Sequence, residues 1–119
     1  MRFVVLKHIK HGCDTHFDLM IETHEGCGLL TTYSLPVEPQ RLVGDGSAEC
    51  KRIFDHDAKF LTYQGAVNKG TGSVERVDEG TASRLESGAS IRYTFDGLVL
   101  KGEFELIQVD GDRYKIQAV

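Results

Sequence analysis

His16 and Asp18 in the run HFDLMIE are two residues apart, and on a β-strand residues i and i+2 share a face. An imidazole and a carboxylate would then stand side by side as half of a metal site. Val4, Leu6 and His8 of FVVLKH share one face of a first strand, and His8 can supply a third ligand from its end. Two imidazoles and one carboxylate leave positions open on a divalent ion, as a catalytic metal needs and a closed structural site does not. The competing reading is a solvated strand whose polar residues hold nothing. Glu22 shares the face of His16 and Asp18, where it could orient a ligand imidazole from behind. His11 and His24 read as solvent-exposed. A zinc site built from Cys13, Cys27 and His16 matches no familiar spacing.

The elements that must position these residues are mostly strands. Phe17, Leu19 and Ile21 alternate with His16, Asp18, Met20 and Glu22, the period of a strand rather than a helix. GLLTTYSLP (28–36) follows a turn at Glu25–Gly26 as a partner strand. Residues 37–53 have no clear period and predict a short helix beside a GDGSA loop. Near the carboxy terminus, Asp96-Gly97 is a two-residue hairpin signal. Folding there pairs Phe95 with Leu98, Tyr93 with Leu100 and Ile91 with Gly102, and sets Arg92 against Lys101. Around VDGDR, a three-residue loop from Asp110 to Asp112 sets Leu106 against Ile116 and Phe104 against Ala118; a one-residue slip would invert every face. The expected fold is all-β with minor α: a small antiparallel β-barrel with one or two short helices.

The chain has 119 residues, enough for one domain over 1–119 with its own core. No window reaches the ~18 apolar residues of a membrane helix, and MRFVVLKHI lacks the long apolar core of a signal peptide. Three cysteines cannot all pair and none lies in a Cys-x-x-Cys, which points to a reduced, cytoplasmic setting. A net charge of −4 excludes a protein that coats nucleic acid through a broad basic face, but not one that grips a strand end with a few local cations.

FVVLKH, HFDLMIE, LLTTYSLP, DHDAKFLTYQG and GTGSVERVDEG, in that order and approximate spacing, resemble the 3'-phosphoesterase domain of bacterial DNA ligase D. The closer likeness is to short standalone relatives of that domain, in which His-Trp-Asp-Leu-Met-Leu-Glu stands where this chain has HFDLMIE. By motif the resemblance covers residues 2 to about 81. It implies a manganese ion held by His8, His16 and Asp18, with His11 as a fallback for the first ligand, and His56 at the scissile phosphate. It also implies action on the 3' end of nucleic acid, removing a terminal ribonucleoside and then a 3'-phosphate, or on a smaller phosphodiester.

Three positions depart from the ligase domain. Met20 stands where that domain has an arginine, Phe60 where it has a tyrosine and Phe54 where it has an acidic residue. A methionine cannot replace a bidentate guanidinium on phosphate. Lys51 and Arg52 before His56, and Lys69 in the NKGTG turn, are the cations that could compensate; their plain reading is a solvated pair and an ordinary glycine turn. Two other functions stay open. One is a non-catalytic barrel that binds a phosphorylated end or a protein partner, favoured by the apolar replacements. The other takes His16, Asp18 and His56 as the facial triad of an iron oxygenase.

Overall fold

The computed structural model describes residues 1–10, 15–87 and 90–119; His11 and Cys13 lie outside them. Among these, nine strands form one antiparallel sheet: β1 (Arg2–Lys10), β2 (Thr15–Glu22), β3 (Leu29–Leu35), β4 (Ser47–Asp57), β5 (Gly65–Val67), β6 (Gly72–Ser87), β7 (Ser90–Gly97), β8 (Lys101–Asp110) and β9 (Arg113–Ala118). The order is β1-β2-β3-β4-β9-β8-β7-β6-β5, and β1 also pairs with β6. That last pairing closes a barrel-like ring, so the all-β expectation holds. One helix, α1 (Pro39–Asp45), and two short 3-10 turns (Ala58–Leu61 and Asn68–Gly70) complete it.

Alternation along the strands separates two apolar layers. Phe3, Val5, Leu19, Ile21, Tyr33, Phe95, Phe104, Leu106 and Ile116 fill the inside of the ring, with Leu42 of α1 among them. On the outside of β1, β2 and β3, a second cluster of Val4, Leu6, Met20, Leu30 and Val74 is roofed by Leu61 of the first 3-10 turn. Strand β2 is therefore buried on both faces, and Met20 is as inaccessible as Leu19. The short helix falls where the aperiodic stretch predicted one. It ends at Gly46, whose φ of +77° suits glycine and whose N–H bonds the Leu42 carbonyl.

The two carboxy-terminal hairpins differ in outcome. Leu106 faces Ile116 and Phe104 faces Ala118, as expected. The register arises from a two-residue turn, Gly111–Asp112, plus a bulge between Gln108 and Asp110, rather than from a three-residue loop. The Asp96-Gly97 expectation is corrected. Asp96 pairs with Lys101, Tyr93 with Phe104, Ile91 with Leu106 and Arg92 with Glu105, leaving a four-residue loop from Gly97 to Leu100.

The cause lies outside the hairpin. Asp78, 1 % exposed, accepts backbone N–H bonds from Leu98, Val99 and Leu100 at 2.7–3.1 Å, and from Glu79. A carboxylate that satisfies a loop's donors overrides the local two-residue preference. A Cβ on Gly97 would lie 3.0 Å from that carboxylate and 2.6 Å from Phe3. The new register differs from the expected one by four residues, an even number, so the apolar face survives.

Candidate metal centre and groove

Antiparallel pairing of β1 with β2 sets His8 opposite His16 and Leu6 opposite Asp18. All four residues share the outer face of the ring. His8 Nδ1 lies 3.1 Å from His16 Nε2 and 3.7 Å from Asp18 Oδ2, and His16 Nε2 lies 3.2 Å from Asp18 Oδ1. Among the described residues these three form the one group able to share a cation. Ligand atoms about 2.1 Å from a metal are about 3.0 Å apart at neighbouring corners of an octahedron and about 3.4 Å apart in a tetrahedron. The 3.1 and 3.2 Å spacings fall in that range, and the 3.7 Å spacing of His8 from Asp18 lies about 0.3 Å beyond it, within a small side-chain adjustment.

Chemistry of the donors agrees. Asp18 is 2 % exposed, and its Oδ1 has no hydrogen-bond partner among the described residues. A buried carboxylate without donors is costly unless a cation neutralises it. Burial, and then the neighbouring His16, push the His8 pKa below its ordinary value. His8 is thus kept neutral near pH 7. Its Nε2 is buried beside Gly72 with no hydrogen-bond partner among the described residues, leaving Nδ1 to meet a metal. The donor set fits a divalent ion.

His56 reaches the same groove through a backbone irregularity. Thr32 pairs with Ile53 and Leu30 with His56, so β4 carries one extra residue opposite β3. Regular alternation from Ile53 would turn His56 inward. The bulge turns it to the outer face instead. There its Nδ1 lies 3.0 Å from Thr32 Oγ1, whose own proton goes to the Leu30 carbonyl. Thr32 can then only accept, so His56 carries its proton on Nδ1 and offers Nε2 to a substrate. The His56 ring stacks on Phe54 at 4.5 Å and meets the edge of Phe60 at 5.7 Å.

His8, His16, Asp18 and His56 line one groove of about 700 Å³, a size typical of small-ligand sites. Lys10, Ser34 and Lys51 border it near the ligands, and Met20, Ile53, Phe54, Phe60, Val67 and Val74 make its apolar part. A second hollow of about 420 Å³ meets it along His16, Ser34 and Lys51 and continues over β4 and β9.

The remaining candidates separate. Lys51 borders the groove, with Nζ 3.5 Å from Asp112. Arg52 belongs to the opposite face, because alternation puts it beside Tyr33. It bonds Asp55 at 2.7 Å and lies over the Tyr33 ring, so it does not serve the groove. Lys69 sits in the second 3-10 turn at φ +56° and does not line the groove, whereas Asn68 does. Glu22 orients no imidazole. It lies at the far end of β2 and accepts N–H bonds from Arg2 and Gly26, tying the start of β1 to the β2–β3 turn. His24 is exposed, as expected. The ligand cluster uses His8 as its second imidazole while His56 bonds Thr32, so His16, Asp18 and His56 do not form a facial triad.

Sequence reasoning did not single out Lys10, Thr32 and Ser34. Lys10 follows the His8 face by two residues, and Thr32 and Ser34 follow Leu30 by two and four; that alternation was their only signal. Met20 packs in the outer apolar cluster. Compared with known proteins, the sequence matches no family model and no curated protein.

Proposed function

We propose that this protein is a manganese-dependent phosphoesterase acting on 3'-phosphate or 3'-ribonucleoside ends of nucleic acid, or on a smaller phosphodiester. The observation that carries the reading is the convergence of His8, His16 and Asp18 opposite His56 on one groove. The motif resemblance adds the substrate class and the metal.

A divalent ion at this centre would polarise a phosphoryl oxygen and lower the pKa of bound water. His8, His16 and Asp18 are the residues that would hold it. His56 acts at Nε2, accepting a proton in its neutral form or donating one to the leaving oxygen as imidazolium, while Thr32 fixes the ring. Lys51 and Lys10 supply positive charge at the groove's border in place of the missing arginine. Contact with nucleic acid is local to the strand end, in keeping with the chain's negative net charge.

The test is elemental analysis of the purified protein, then manganese titration of wild type against His16→Ala, with phosphate or nucleoside release from a 3'-blocked oligonucleotide as readout. Metal-dependent release by wild type and its loss in the variant are expected. A metal-loaded protein that turns over no such substrate overturns the reading. The buried, apolar Met20 favours one alternative, a module that binds a phosphorylated end without cleaving it. Equal binding of a 3'-phosphorylated oligonucleotide with and without metal would select it.

A further inference from the structure

Phe54 is the anomaly of the groove. It is 75 % exposed, although it adjoins a well-packed apolar surface. One face of its ring lies on His56, at 4.5 Å and 19° from parallel, and Phe60 meets the same imidazole in a T-shaped contact at 5.7 Å. The bulge that turns His56 to the groove also places Phe54 on its rim. An exposed phenyl ring held flat by one neighbour, with its other face uncovered, is a stacking surface for a planar ring.

The groove is divided in the same sense. His8, His16 and Asp18, with Lys10 and Lys51, offer charge to a phosphate. Met20, Ile53, Phe60 and Val74 offer nothing polar. A ligand filling both parts carries a phosphate and, close to it, a flat apolar group. Phe54 is only two residues from His56, so that group belongs to the moiety esterified to the reacting phosphate. An acyl chain fits less well, because Lys10, Ser34, Lys51 and Asn68 interrupt the apolar lining.

We infer that Phe54 is a specificity-determining residue which stacks on the nucleobase of the nucleotide bearing the scissile phosphate. The inference rests on the phosphoesterase reading for the phosphate's position. It assigns to this chain a contact that an acidic residue at the same position would not provide.

The experiment is calorimetric titration of the manganese-loaded protein with adenosine 3'-phosphorothioate and with methyl β-ribofuranoside 3-phosphorothioate (the ribose compound), slowly hydrolysed analogues that share the locked furanose and carry a base or a methoxy group at C1. Wild type should bind the base-bearing compound about tenfold more tightly, the effect of one stacked base. Phe54→Ala should abolish that preference while keeping its affinity for the ribose compound, and Phe54→Trp should preserve it. Equal affinities in wild type, a preference that survives Phe54→Ala, or an equal loss for both ligands would overturn the inference. The last outcome would mean that Phe54 merely supports His56. Binding of both compounds without base preference leaves the phosphoesterase reading standing. Base preference without turnover of a 3'-phosphorylated oligonucleotide does the reverse, and absence of all binding overturns both.

Discussion

His56 donates its Nδ1 proton to the Thr32 hydroxyl across 3.0 Å, and the two residues meet only because β4 holds one more residue than β3 at that point. The bond makes a threonine of unremarkable sequence context the group that sets the imidazole's tautomer. It also gives the proposed acid–base residue a fixed orientation before substrate arrives.

Removing the imidazole and removing its anchor should differ in size. For His56→Ala, kcat should fall by about a hundredfold or more, the scale of a lost general acid or base. Thr32→Val keeps the shape but loses the acceptor; a fall of about tenfold is expected, because the imidazole is no longer held in its orientation. Phosphate release from a 3'-phosphorylated oligonucleotide, followed across pH, checks both. A Thr32→Val enzyme with unchanged rate would show that the bond does not position the imidazole.

Asp18 would link the proposed metal binding to stability. Among the described residues its buried Oδ1 has no hydrogen-bond partner, and the carboxylate faces two imidazoles at 3.2 and 3.7 Å, so the metal-free protein gains little from its charge. Asp18→Asn should leave the Tm of metal-free protein unchanged or slightly higher. Wild type at a manganese concentration a hundredfold above Kd should gain about 2.7 kcal/mol, reversed by chelator, and the variant should gain almost none. Thermal unfolding with manganese and with EDTA measures both effects.

Asp78 holds the β7–β8 loop from a distant strand. Asp78→Ala strands the N–H groups of Val99 and Leu100 beside the buried Leu100 side chain, and leaves that of Leu98 only its 3.3 Å bond to the Glu79 carbonyl. A loss of about 2–4 kcal/mol is expected, since each unsatisfied buried donor costs about 1–3 kcal/mol and water recovers part of it. Urea unfolding gives the value. A loss below about 1 kcal/mol would mean that the loop holds its conformation unaided.

Glu22 makes stability depend on acid. The backbone N–H of Arg2, and to a lesser degree that of Gly26, hold its pKa below the ordinary carboxylate range, against the opposing effect of burial. The unfolded chain therefore takes up this proton first as pH falls. Its contribution is complete above the unfolded value near 4.5 and disappears as pH drops through the lower folded value. Glu22→Gln should be less stable than wild type at pH 7, with the difference closing below pH 4.5 in chemical unfolding curves. A difference that stays constant across that window would remove Glu22 from the acid response.

Much of this molecule was legible in the residues themselves. Alternation in HFDLMIE assigned Leu19 and Ile21 to one face and His16 and Asp18 to the other, because strand periodicity is a property of the local backbone. The same logic brought His8 to the pair and chose the Leu106–Ile116 register, where a slip would expose apolar side chains. Tertiary contacts decided the rest. Asp78 acts on a loop twenty residues away and reset the Asp96-Gly97 turn, which no local propensity could report. A single bulge turned His56 outward, while the unbroken alternation just before it left Arg52 on the other face from Lys51. Glu22 followed the face of His16 and Asp18 along β2 but was carried beyond their reach by the length of that strand. Faces follow from covalent geometry residue by residue, whereas bulges, turn clamps and the aim of a side chain depend on hydrogen bonds between segments that only folding brings together.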